Sequence, residues 1–227
     1  MGMEFDFVFW ALMALSLGAA AAYGTVFLDR PKTLLRAGVK TLFMGAMTTA
    51  FVTAGAPFPL VLALAASAFG DLFLALENKN GTLSLGILSF LIAQLLYFLI
   101  FFGIWFFSGD NSPLWPRYAA IALVVATSIG FLIWMGPKLG WMAIGVVPYA
   151  IAITGMACMA MWMPWAGWPA MIGAASFLVS DFVLSAELFR LSADAPARRI
   201  TAPMVWWTYV AAQVLIVLGV VLAVFAS

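Results

Sequence analysis

Residues 84–107 read SLGILSFLIAQLLYFLIFFGIWFF, a run without one charged side chain. A helix needs roughly 20 apolar residues to cross the hydrocarbon core of a bilayer, and this run is long enough. It does not alternate polar and apolar residues, as a strand of a membrane barrel would. The stretch therefore predicts a membrane-spanning helix, and it raises the question of how much of the chain shares its character.

Nearly all of it does. Of the 227 residues, 66% are hydrophobic and 8% are charged, where a soluble domain carries roughly 25% charged residues. Too few polar side chains remain to cover a soluble core. Seven further runs have the length and composition of spans: Phe7–Leu28, Thr33–Ala54, Pro57–Leu76, Pro116–Met135, Leu139–Met163, Trp168–Phe189 and Thr201–Phe225. The second is the weakest, because Arg36 and Lys40 lie in its first turns. Met163-Pro164-Trp165-Ala166-Gly167-Trp168-Pro169 separates the sixth span from the seventh with turn residues and interfacial tryptophans. The expected fold is all-α: a polytopic bundle of eight transmembrane helices in a single transmembrane domain, 1–227.

Charge sets the orientation and removes several functions. Arg30, Lys32, Arg36, Lys79, Lys138, Arg190, Arg198 and Arg199 fall in or beside loops 1, 3, 5 and 7, and only Arg117 lies on the other side. By the positive-inside rule those loops are cytoplasmic, and both termini of this multi-pass cell-membrane protein lie outside. The segment Met1–Asp6 lacks a basic n-region, so the first helix is expected to be retained as a signal anchor. A net charge of +1 offers nothing to attract a nucleic acid. There is no histidine, which argues against the usual zinc sites, Ser-His-Asp triads and histidine bases, so no metal and no cofactor is expected. Cys158, alone in an apolar run, reads as a small buried hydrophobe.

Parts of the chain echo each other. Gly70-Asp71-Leu72-Phe73-Leu74-Ala75-Leu76-Glu77 reads against Ser180-Asp181-Phe182-Val183-Leu184-Ser185-Ala186-Glu187. Ala93-Gln94-Leu95-Leu96 reads against Ala212-Gln213-Val214-Leu215. The order and spacing suggest two four-helix repeats, 1–110 and 111–227, parallel because each has an even number of spans.

An ionisable group inside a span costs roughly 2.5–3.5 kcal/mol on insertion scales. Asp71 and Asp181 are the two carboxyls that lie well inside expected helices. Each follows a small residue, Gly70 or Ser180, that lets a neighbour approach closely. Other polar side chains reach similar depth. Gln94 and Tyr97 share a face at i, i+3, and Tyr209 and Gln213 share one at i, i+4. Tyr149 follows Pro148, and Lys40 lies near the cytoplasmic end of the second span. Together they suggest one polar layer open toward the cytoplasmic leaflet.

Plainer readings compete. A lone glutamine or tyrosine between membrane helices is often interhelical glue. Lys40 can snorkel to the headgroups, and Glu77 and Glu187 are near enough to the interface to be solvated. Two carboxyls at matching places are harder to explain as structure alone. In a medium of low dielectric, one protonated and one ionised Asp make a general acid and a general base, suited to hydrolysis of an acid-labile bond. Serine or cysteine nucleophile chemistry lacks an activating base.

The strings Ser67-Ala68-Phe69-Gly70-Asp71-Leu72-Phe73-Leu74 and Gly173-Ala174-Ala175-Ser176-Phe177-Leu178-Val179-Ser180-Asp181 resemble the lysoplasmalogenase (YhhN-like) membrane family. So do Ser89-Phe90-Leu91-Ile92-Ala93-Gln94-Leu95-Leu96-Tyr97 and Thr208-Tyr209-Val210-Ala211-Ala212-Gln213-Val214-Leu215-Ile216. The resemblance implies hydrolysis of the vinyl-ether bond of a lysophospholipid, the lysoplasmalogen. The products would be a fatty aldehyde and glycerophosphoethanolamine or glycerophosphocholine. It implies catalytic roles for Asp71 and Asp181, and substrate-binding roles for Lys40, Gln94, Tyr97, Tyr209 and Gln213. Tyr149 joins this last group by its depth. Two positions depart from the family pattern: Thr41 stands where relatives have proline after the lysine, and Gln94 where many have histidine. A transporter or a lipid-binding membrane protein is the competing class, since carriers also combine repeats with polar groups at depth.

Overall fold

Asp6 opens the first helix, its carboxylate accepting the Phe9 amide at 2.8 Å, as an N-cap residue does. Thr33 opens the second in the same way, accepting from Arg36 N at 3.2 Å. The computed structural model describes residues 3–76, 80–108, 114–192 and 194–226. Among these there is no strand. The helices are α1 (Phe7–Ala22), continued by a π-helical turn Tyr23–Phe27, α2 (Leu34–Thr53), α3 (Phe58–Ala75) and α4 (Asn80–Ser108). They continue with α5 (Leu114–Leu139), α6 (Ala143–Ala160), α7 (Trp168–Phe189) and α8 (Arg198–Ala226). Glu77 and Lys79, expected at the third loop, lie outside the described residues.

The chain divides into two compact units, Met1–Tyr97 and Phe98–Ser227. In the first, α2 packs against both α1 and α3. Ser16 Oγ donates to Phe43 O at 2.6 Å, and Glu4 N to Ala54 O at 3.0 Å. Phe43, Met44, Met47, Phe51, Leu60 and Leu64 fill the space between these helices and are fully buried. Helix α4 then runs antiparallel to α3. A Cβ on Gly70 would come within 2.6 Å of the Phe90 ring, and one on Gly86 within 2.7 Å of Leu74 Cδ2. The two faces of α4 differ as those of a membrane helix should. Phe90, Ala93, Gln94 and Tyr97 are buried, while Leu85, Leu88, Ile92, Leu95 and Leu99 are exposed at the same spacing.

In the second unit α5 and α6 form a hairpin. Gly140 takes φ +52°, a left-handed conformation that glycine adopts without strain, and a 3-10 turn at Gly140–Met142 starts the return. At the far end Arg117 Nη1 donates to Trp162 O at 2.8 Å, and the Tyr118 and Trp162 rings meet edge to face at 5.5 Å. Helices α7 and α8 pack through small residues. A Cβ on Gly173 would come within 2.8 Å of Ala212 O, and one on Gly219 would strike the Ala170 backbone. Such close backbone approach is how helices associate where burial from lipid offers little.

Among the described residues six helical segments are long and apolar enough to cross a membrane. The protein is therefore all-helical and polytopic, with six such segments in place of the eight separate runs expected. Two physical reasons account for the difference. Arg36 and Lys40 keep α2 out of the set. The fifth and sixth runs join into one segment, Trp115–Ala160, because the helix continues through Pro137 to Leu139 and turns only at Gly140. Lys138, expected in a loop, thus sits in the last turn of α5. Pro148 lies inside an unbroken α6. An irregular turn stands at the end of α1.

Candidate active site

On α2, Lys40 shares a stripe with Met44, Met47 and Phe51, four and three residues apart. These neighbours are buried, so the lysine stem enters the interface. Its Nζ lies 3.1 Å from Asp71 Oδ1, with side-chain exposures of 15% for the lysine and 1% for the aspartate. Lys40 is thus an ion-pair partner of Asp71, a pairing the sequence reading did not include. Removing either partner of a pair this buried costs about 3–5 kcal/mol, because the other charge is left uncompensated.

The same unit gathers three more polar groups. Ser67 lies one turn before Asp71 on α3. Its hydroxyl donates to Ala63 O at 3.0 Å, and its side chain shares a hydrogen bond with Tyr97. Tyr97 is wholly buried on α4. One turn back on the same face is Gln94, also wholly buried. Among the described residues neither its Nε2 nor its Oε1 has a hydrogen-bond partner. A buried polar group left unsatisfied costs about 1–3 kcal/mol, so such a residue calls for an explanation.

Closer to the end of α1, Arg36 Nη2 donates to Tyr23 Oη at 3.2 Å and to Leu28 O at 3.0 Å. The guanidinium carbon stands 5.6 Å from the Tyr23 ring centre. Tyr23 is the first residue of the π-helical turn, so this arginine ties the irregular end of α1 to the start of α2. π-turns often mark functional segments.

The second unit treats its carboxyl differently. Tyr149 of α6 donates its phenol proton to Asp181 of α7. Among the described residues no cation pairs with Asp181, and its side chain is half-buried. Ser180, beside it, donates to Val205 O at 2.9 Å and anchors α7 on α8. Tyr209 is buried and meets Phe177 edge to face at 5.5 Å. Gln213 is wholly buried and lies on the α8 turn whose Ala212 and Ile216 meet Gly173, about two helical turns before Asp181 on α7. Glu187, expected to be solvated, is buried instead. It accepts from Thr201 and lies 3.7 Å from Arg198 Nη1. Arg198 also donates to Glu187 O at 2.6 Å and Ser192 O at 2.9 Å. Glu187 is thus a brace across the turn between α7 and α8.

The structure therefore joins Lys40 to Asp71 and Tyr149 to Asp181, and it places Gln94 and Tyr97 on the buried face of α4. Ser67 had no role in the sequence reading. Its signal was its position one turn before Asp71. The chemistry available is a charged carboxylate held by an ammonium group, and a second carboxyl held by a neutral phenol.

Comparison with known proteins gives the same direction. The model of the YhhN family matches residues 35–220. Two relatives called lysoplasmalogenase, from Mycobacterium bovis and Mycobacterium tuberculosis, are each 32% identical over 164 residues. The match takes in 70% of this chain and 59% of each relative, so this chain aligns with only about three fifths of their length. No solved structure matches. From the family match across most of its length, the chain belongs to the YhhN family.

Proposed function

We propose that this protein is a membrane-embedded hydrolase that cleaves the vinyl-ether bond of lysoplasmalogens. The products are a fatty aldehyde and glycerophosphoethanolamine or glycerophosphocholine. Relatives named for this activity support the reading. The observation that carries it on this chain is the contrast between the carboxyls: Asp71 is clamped by Lys40, and Asp181 has, among the described residues, a phenol and no cation.

That contrast suggests a division of labour. A carboxyl beside an ammonium group is best placed to stay anionic, while one with only neutral company can hold its proton. Asp181 is the general acid. It protonates the β-carbon of the vinyl ether, and the α-carbon becomes an oxocarbenium ion. Asp71 supplies the anionic charge that such an ion requires and the base for the water that adds to it. The resulting hemiacetal loses its hydroxyl proton, its bond to the glycerol oxygen breaks, and that oxygen is reprotonated. Aldehyde and alcohol leave, and both carboxyls return to their starting states. Tyr149 orients Asp181. Tyr97, Tyr209 and Gln213 bind the polar part of the substrate, and Lys40 serves through Asp71.

In the membrane we assign eight passes in two four-helix repeats, with loops 1, 3, 5 and 7 cytoplasmic. The folded-back α5–α6 hairpin and the interleaved α2 support this count. The test is direct. Purified protein in detergent, without added metal, is expected to release fatty aldehyde from lysoplasmalogen and none from the matching saturated ether lipid. Lipid flux into liposomes with no aldehyde formed would replace this reading with that of a carrier.

A further inference from the structure

Gln94 is the buried polar group that the fold leaves unexplained. The contacts between α3 and α4 locate it. Leu74 faces Gly86, Gly70 faces Phe90, and Ser67 reaches Tyr97, so the helices run antiparallel and in step. Gln94 lies between Phe90 and Tyr97 on this face, opposite the turn of α3 that carries Ser67, Gly70 and Asp71. A helical side chain leans toward the N-terminus of its own helix. For Gln94 that lean is toward Phe90, the level of Gly70 and Asp71.

At this place the amide presents one acceptor and two donor hydrogens, and among the described residues nothing in the protein takes them. Asp71, nearby on the facing helix, is engaged by Lys40 at 3.1 Å on one oxygen. A buried glutamine on the face of α4 that meets the α3 turn carrying a carboxylate, but hydrogen-bonded to none of the described residues, is suited to a small molecule that both donates and accepts. Water and an alcohol hydroxyl have that chemistry.

We propose that Gln94 is a positioning residue for the water that adds to the activated vinyl ether. This rests on the hydrolase reading above. The amide carbonyl accepts one water hydrogen, and an amide N–H donates to the water oxygen. The other water hydrogen points to Asp71. In the addition step a lone pair of the water oxygen forms the new C–O bond, and the π pair of the oxocarbenium returns to the ether oxygen. The released proton goes to Asp71. The charges of the cation and the carboxylate cancel, and no oxidant or cofactor is required.

The consequence is a specific defect. Without the amide, protonation of the vinyl ether proceeds but hydration lags, and the oxocarbenium gives its proton back. In Gln94→Leu, turnover on lysoplasmalogen is expected to fall roughly tenfold to a hundredfold, the scale of a misplaced reacting group, with KM little changed. In D2O the recovered substrate is expected to carry deuterium at the β-vinyl carbon, whereas substrate recovered from the wild-type protein carries none. A purely structural role would lower activity without that exchange, and that outcome overturns the proposal. So does unchanged turnover, or a raised KM at normal turnover, which would make Gln94 a lipid contact. If Gln94→Leu does not fold, Gln94→Asn keeps the amide but withdraws it by one methylene and is judged by the same exchange. Failure of the wild-type protein to hydrolyse the vinyl ether is a separate result that removes the hydrolase reading itself.

Discussion

The two units hold their aspartates in opposite ways. Asp71 is buried to 1% exposure and paired with a lysine. Asp181 is half-buried and bonded to a tyrosine. Around them the echoed glutamines also differ. Gln94 stands within about one turn of the level of Asp71, whereas Gln213 lies on the α8 turn that meets Gly173 through Ala212 and Ile216, about two turns from the level of Asp181. Similar strings of sequence have thus been set in different electrostatic frames. What separates them is the partner that another helix brings, Lys40 from α2 or Tyr149 from α6. The lesson is that a motif specifies a carboxyl at depth, while the helices packed against it decide which partner it meets.

The strongest way to break this comparison is to neutralise each carboxyl. Asp181→Asn is expected to lower aldehyde release by roughly 100-fold to 10,000-fold, the range for loss of a general acid, while the protein stays monodisperse and thermally unchanged. If Asp181→Asn folds and keeps full activity, the assignment of the acid is wrong. The next effect is on folding. Lys40→Met strands the Asp71 carboxylate and is expected to destabilise the protein by about 3–5 kcal/mol, read as a lowered unfolding temperature in detergent. Adding Asp71→Leu is expected to recover much of that stability but none of the activity. A stable Lys40→Met protein would mean that the pair contributes little. The smallest effect belongs to Tyr149→Phe. Loss of one neutral hydrogen bond, about 0.5–1.5 kcal/mol, is expected to slow turnover by about tenfold or less, with stability nearly unchanged. A loss as large as that of Asp181→Asn would give the phenol a direct part in proton transfer.

What could be read from the sequence follows a physical line. Helix starts at Thr33, Pro57 and Trp168 were legible, because caps and prolines act within a turn. So were Asp71 and Asp181, because a carboxylate in an apolar run violates a strong rule. The partners were not. Lys40 meets Asp71 only through the register of α2 on α3, a contact between residues far apart in the chain. The same holds for Glu187, whose place near the interface suggested solvent until Arg198 and Thr201 were seen to enclose it. The bond that Arg36 of the next helix donates to Tyr23, the first residue of the π-turn, likewise left no local trace. Nor can a sequence show that Gln94 finds no hydrogen-bond partner among the described residues. That is a property of everything packed around it.

The Lys40–Asp71 pair also bears on how the protein is made. Helix α2 carries two basic residues and is too polar to count among the segments that would enter lipid by themselves. Helix α3 is apolar but bears a carboxylate near its end. Once joined, Lys40 and Asp71 cancel one charge from each helix, and of three charged groups only Arg36 is left without an opposite charge from this pair. A chain in which α2 and α3 pack on each other before meeting lipid therefore avoids the cost of placing Lys40 and Asp71 there as separate charges.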